Sequence, residues 1–318
     1  MIKYMIVLVA TAILASCTQG KGSKSETTSK IYTSDHYNIT ISSDLSNRLS
    51  PKLYPKAVSD ADIVGIVGMN IYPRILTHKR SLNQLDQFRI DFINKKQINA
   101  YSVNTKLLEI DFSKFESQSE RIKYLKTTFQ GDERKFEGEF YRIHDAAIKH
   151  PFGSDIWTYL QLGVDGFIVN KEKTTSKIGI NTFENRYKNV LILLTDGYIE
   201  AGIFGKNYDL SGKKINEFRI QFLKSGDKDI ETFYKKNQRY KIHPLANPLL
   251  KDLEVLVLEL YDRTETNSGA SVHPTDLEIM RLIWGDWLKT SGVKKFDLYP
   301  KFSSKAEAEK IIFKFLGV

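Results

Sequence analysis

Alternation of apolar and polar residues divides the chain into strand-sized and helix-sized segments. The most continuous apolar run, Val190 to Leu194, stops at Thr195, Asp196 and Gly197. It is too short to cross a bilayer and too unbroken for a half-exposed strand, so it predicts the buried central strand of a parallel sheet. Tyr37, Ile39 and Ile41 alternate with polar neighbours and predict another strand over 36–43, followed by Asp44. Further strands are expected at 88–93, 107–112 and 253–260, with a short edge strand at 296–298.

Between these lie segments of helical spacing. Residues 59–72 follow Pro51 and Pro55, with Ser59 or Asp60 placed as the cap and with Gly65 and Gly68 small enough for close helix–sheet packing. Over 117–149, Ile122, Leu125, Phe129, Phe136, Phe140, Ile143 and Ala147 share one face, Ser117 and Glu120 suit a capping box, and Gly131 is expected to divide the segment. Ser154 stands where an N-cap would open the next helix. Thr275 and Glu278 form a second capping box before a stripe of Leu277, Met280, Ile283, Trp284, Trp287 and Leu288, which reads as core. An amphipathic helix over 304–316 closes the chain. Strands alternating with helices in this way specify an α/β fold with a mostly parallel sheet.

The first sixteen residues have a different character. Lys3, an apolar run from Met5 to Ala15 and the small residues Ala15 and Ser16 precede Cys17, and the pattern resembles a bacterial lipoprotein signal peptide. That resemblance implies cleavage before Cys17 and a diacylglycerol on its sulfur. Residues 17–34 are then a lipid-attached tether, of which 18–30 contain no large apolar residue. Cys17 is the sole cysteine, so no intrachain disulfide can form and the fold depends on its core. The 318-residue chain carries a net charge of +9, which becomes +8 once Lys3 is removed. Its lysines are scattered and no aromatic-interleaved basic motif is present, which favours a solvated surface over a nucleic-acid partner.

Three polar sites remain: Asp44 and Ser46 after the first strand, Gly153 and Ser154 before a helix, and Thr195, Asp196 and Gly197 after the central strand. Open α/β sheets bind ligands beyond the carboxyl ends of their strands, where two of these sites fall. Together they resemble the von Willebrand factor A-like domain with its metal-ion-dependent adhesion site. The resemblance covers the chain from about residue 35 to 318, with insertions at about 70–150 and 198–250, and implies a Rossmann-like sheet flanked by helices. It also implies that Asp44, Ser46, Ser154 and Asp196 surround Mg²⁺ or Mn²⁺, leaving a coordination position for a carboxylate of a partner protein. Where the family pattern has its last serine stands Arg48, which cannot ligate a cation. Either Arg48 points outward and a water replaces the hydroxyl, or it folds onto Asp44 and Asp196 as a built-in substitute cation.

No Gly-x-Ser-x-Gly elbow, Walker loop or His-Glu-x-x-His is present. His36, His78, His144, His150, His243 and His273 lack zinc-ligand spacing, and His144 is expected at the surface. The expectation is therefore an exported lipoprotein of a Gram-negative-type envelope, assigned to the outer rather than the inner membrane. It would act as a metal-assisted protein-binding or assembly module and not as a catalyst. The alternatives are a metal-dependent envelope hydrolase using Asp44 and Asp196, and a structural member of the family whose site is metal-free.

Overall fold

A computed structural model describes residues 30–199, 208–266, 269–270 and 272–318. The signal-like segment, Cys17 and the tether up to residue 29 lie outside the described residues. In chain order the elements are β1 (Ile31–Ser43), α1 (Asp60–Met69), β2 (Gln87–Phe92), α2 (Lys96–Ala100), β3 (Glu109–Asp111), α3 (Gln118–Thr127), α4 (Phe129–Lys149), α5 (Ile156–Thr158), β4 (Thr174–Ile178) and β5 (Asn181–Leu194). After them come α6 (Gly212–Ser225), α7 (Ile230–Lys236), β6 (Leu253–Leu260), the small ribbon β7 (Glu265–Thr266) and β8 (Gly269–Ala270), α8 (Asp276–Thr290), β9 (Lys295–Pro300) and α9 (Lys305–Leu316).

The main sheet runs β3-β2-β1-β5-β6-β9, with β4 added beside β5. Pairs β1–β2, β1–β5, β5–β6 and β6–β9 are parallel, while β3 and β4 pair antiparallel. Strand order reverses between β1 and β5: the chain builds outward from β1 to β2 on one side, and from β5 through β6 to β9 on the other. The fold is thus α/β and Rossmann-like, and β1 starts five residues before the alternation suggested.

Burial on both faces explains the unbroken run in β5. Val190, Ile192 and Leu194 pack into one core with α1, α4 and α9, whereas Leu191 and Leu193 face another with α6, α7 and α8. Each such side chain removed from water contributes about 1.5–3 kcal/mol, so no position of the run tolerates a polar residue cheaply. Among the described residues no helix is long and apolar enough to cross a membrane.

Capping residues end and begin helices largely where the sequence placed them. Ser59 with Asp62, Ser117 with Glu120 and Thr275 with Glu278 each form a reciprocal capping box. The division of the long helical segment falls at Thr128, not at Gly131, which lies inside α4. The buried Phe129 sets that break, packing against Tyr72, Phe112 and Tyr124. The face of α3 is also shifted: Ile122 is exposed, and Arg121 and Tyr124 turn inward instead. Arg121 is tolerated there because it donates to the carbonyls of Phe112 and Phe115. Close packing at Gly68 is between helices: a Cβ there would lie 2.4 Å from the Glu137 carboxylate on α4, while Gly65 has open space.

Candidate functional site at the strand-order reversal

The strands on either side of the reversal, β1 and β5, carry Asp44 and Thr195–Asp196 just beyond their carboxyl ends. This is where an open α/β sheet leaves a crevice, because its flanking connections diverge to opposite sides. Asp44 donates its backbone N–H to the Leu194 carbonyl at 2.9 Å, and Thr195 donates its own to Leu258 at 3.1 Å. Each strand end is thereby locked to its neighbour. Gly197 turns the chain away at φ +88°, where a Cβ would meet Leu260 and Met280 at 2.5 and 2.6 Å. Its carbonyl accepts from the Trp284 indole at 2.9 Å, tying the Asp196 loop to α8.

Asp44, Asp196 and Ser154 are 4%, 7% and 9% exposed. The Thr195 hydroxyl lies 3.5 Å from Asp44 Oδ2. Burial raises the Asp44 carboxyl above its ordinary range against the pull of Arg48, Ser154 and Ser46. Asp196 is pushed up to about 6 by burial and then by the Asp44 charge, with Arg48 and Arg263 acting in the opposite direction. Asp44 with Ser46, Ser154 and Asp196, which come from three separate parts of the chain, thus share one electrostatic environment.

Ser154 is not an N-cap. That position belongs to Asp155, whose carboxylate accepts the Thr158 N–H at 2.9 Å. The freed Ser154 hydroxyl is buried close enough to Asp44 to act on its carboxylate, yet neither it nor Asp44 Oδ1 makes a hydrogen bond of ordinary geometry. Ser46, though at the start of a short 3-10 turn, makes no side-chain cap bond either. Buried polar oxygens are rarely left unpaired, since each costs about 1–3 kcal/mol. Oxygen donors of this kind beside two crowded carboxylates fit a hard divalent cation.

Arg48 does not point outward, and it follows the inward course only in part. It is buried and folded inward, but its main partner is Asp60 at the start of α1, to which it donates through both terminal nitrogens. It also donates to the Leu194 carbonyl at 2.8 Å and to the Ser43 hydroxyl at 3.3 Å. Only its Nε approaches Asp44, at 3.8 Å. Lys56 completes a layer beneath the site, 2.8 Å from both Asp60 and Glu259. Burial alone would raise Asp60, yet Arg48 and Lys56 outweigh it and hold the carboxyl well below the usual range. Glu259, raised by burial against the charge of Lys56, sits at φ +75° where β6 loses register with β9. Backbone strain at a non-glycine residue concentrates at functional sites.

Four residues in and beneath the site were not singled out from sequence: Lys56, Asp60 as an ion partner, Glu259 and Arg263. Arg263 lies over Asp196 at 3.3 Å and stacks on the Tyr198 ring at 3.6 Å. His144 also departs from expectation, being buried on α4 with its pKa lowered by burial, offset by Asp60. With Arg48 held by Asp60, four carboxylates (Asp44, Asp60, Asp196, Glu259) face three cations (Arg48, Lys56, Arg263) among the described residues. The deficit falls on the Asp44–Asp196 pair.

No protein-family model, curated protein or solved structure matches the chain.

Proposed function

We propose that the protein is an envelope lipoprotein whose strand-end site works as a metal-assisted binding module of the von Willebrand factor A-like type. The carrying observation is the pairing, at the strand-order reversal, of two crowded carboxylates with Asp44 Oδ1 and the Ser154 hydroxyl, neither of which makes a hydrogen bond of ordinary geometry. Asp44, Ser46, Ser154 and Asp196 would hold Mg²⁺ or Mn²⁺, and the bound ion supplies a hard, partly hydrated charge that can accept one more carboxylate. Thr195 holds Asp44 in place from β5. Arg48 keeps Asp60 ionised one layer down and so leaves the upper pair without a full counter-charge. Arg263, partly exposed and paired with Asp196, would add a second positive charge near the incoming carboxylate of a partner protein.

Titration of the full chain with Mn²⁺ under electron paramagnetic resonance tests this. Loss of the free-ion signal at one equivalent, abolished in Asp196→Ala, supports the reading. A free-ion signal unchanged in the wild type points to the metal-free structural alternative. Turnover of p-nitrophenyl phosphate that disappears in Asp44→Ala would instead favour the hydrolase.

A further inference from the structure

The opposite end of the sheet carries a second surface. There β1 and β5 extend beyond the sheet's body and β4 joins them, so that Ile31 pairs with Thr182 and Ile178 with Asn181 around the Gly179–Ile180 turn. Large apolar side chains project from this end: Ile31 is 69% exposed, Ile180 55%, Tyr32 42% and Leu82 40%. Tyr32 stacks on Phe183 with ring centroids 5.5 Å apart, which stiffens the projecting edge.

The same end is basic. Residues 171–188 hold Lys171, Lys173, Lys177, Arg186 and Lys188 against Glu172 and Glu184. Beside them opens a cavity of about 830 Å³, whose lining includes five basic residues (Lys79, Arg80, Arg186, Lys188, Lys294) and two carboxylates (Asp35, Glu254). Lys188, Lys294 and Lys295 stand 3.5, 3.3 and 3.7 Å from the single buried carboxylate of Glu254. One carboxylate cannot neutralise three ammonium groups. Lysines that read as scattered along the sequence are thus gathered by the fold on one face.

We propose that this amino-terminal end of the sheet docks on an anionic phospholipid surface, with the basic ring on headgroup phosphates and Ile31, Tyr32 and Ile180 at the interface. Aromatic and aliphatic tips set among lysines suit the boundary between headgroups and acyl chains, and each basic residue near such a surface adds attraction. β1 also begins at this end, at Ile31. If Cys17 is acylated, the twelve residues 18–29 separate it from Lys30 at this end of β1, a chain length of at most about 45 Å, which keeps this face near the bilayer. That step rests on the lipoprotein reading; the charge and the apolar tips do not. Because β1 runs from this face to Asp44, its thirteen residues display the binding site about 40 Å from the membrane.

The test is hydrogen exchange of the full chain on nanodiscs of phosphatidylglycerol or phosphatidylcholine, with the intact mass of the chain measured in parallel. Residues 174–188 are expected to exchange more slowly on phosphatidylglycerol alone. The effect should be lost in Lys177→Gln/Ile180→Ser/Arg186→Gln, whose three side chains are exposed, and kept in Leu223→Ser/Lys224→Gln/Lys228→Gln on another surface. Equal exchange on both lipids overturns the proposal even if the mass shows an acylated Cys17. Selective protection without an acyl group upholds docking and removes the lipoprotein reading. The same slowing produced by soluble glycerol phosphate without a bilayer would assign the site to a free phosphate compound and overturn membrane docking.

Discussion

Replacing Arg48 by methionine keeps the apolar stem and removes the guanidinium. Asp60, fully buried, would then retain Lys56 at 2.8 Å as its ion partner, and the Leu194 carbonyl would lose its donor from Arg48. Breaking a buried pair by removing one partner costs about 3–5 kcal/mol, and the surviving Lys56 places the expectation at the lower end, about 3 kcal/mol. For a chain of this size that is a fall in Tm of roughly 6 °C. Asp60→Asn alone strands Arg48 in the same layer, so Arg48→Met with Asp60→Asn should cost less than the sum of the single changes by about 2 kcal/mol. Urea unfolding followed by tryptophan fluorescence reads all four proteins, because Trp157, Trp284 and Trp287 are buried. A cost below about 1 kcal/mol for Arg48→Met, with no coupling to Asp60, would refute Arg48 as the counter-ion of the lower layer. Metal affinity moves the other way: with a cation removed from 3.8 Å beside Asp44, Arg48→Met should bind Mn²⁺ more tightly than wild type.

Three further outcomes follow. Asp196 holds its proton up to about 6 in the folded state against an ordinary value near 3.8, so the folded chain binds more protons than the unfolded one between these values. Its contribution therefore makes stability fall as pH rises from about 4 through 6 in EDTA, and Asp196→Asn should flatten that part of the profile. Ser154→Ala removes a hydroxyl that makes no hydrogen bond of ordinary geometry, so metal-free stability should change by less than about 0.5 kcal/mol while Mn²⁺ affinity drops at least tenfold. A parallel loss of metal-free stability would show the hydroxyl to be bonded. Gly197→Ala forces a side chain onto Leu260 and Met280 at positive φ, and should destabilise by about 2–3 kcal/mol in thermal unfolding.

The sheet was legible because its central strands must be apolar on both faces, and Val190 to Leu194 can be little else. Capping boxes were legible at Ser117 and Thr275 because they are local, each residue finding its partner three residues on; at Ser59 a cap was foreseen but not its box with Asp62. The interior of the long helical segment was not, since Phe129 is drawn inward by rings at Tyr72 and Phe112 that sequence cannot place. In the site, Asp44 and Asp196 were visible as polar endings of apolar strands. Asp60 was hidden by its plausibility as a first-turn acid of α1, and Arg263 by lying 67 residues from Asp196. One signal was available and unused: Glu254 and Glu259 interrupt an otherwise apolar strand, and each proves to be a buried carboxylate at opposite ends of β6, Glu254 facing Lys188, Lys294 and Lys295 and Glu259 facing Lys56.

Asp44, Ser46, Ser154 and Asp196 are proposed to form a working cation site above a self-neutralised ion layer. The most direct measurement is thermal unfolding of the full chain in EDTA and then in millimolar Mg²⁺ or Mn²⁺, beside Asp196→Ala. At a free metal concentration one hundred times Kd, binding to the folded state alone adds about 2.7 kcal/mol, roughly 5 °C in Tm for a chain of this length. The account predicts that rise in the wild type and its absence in the variant. A melting temperature indifferent to metal, together with a more stable Asp196→Ala, would contradict it and leave the buried ions as a purely structural feature.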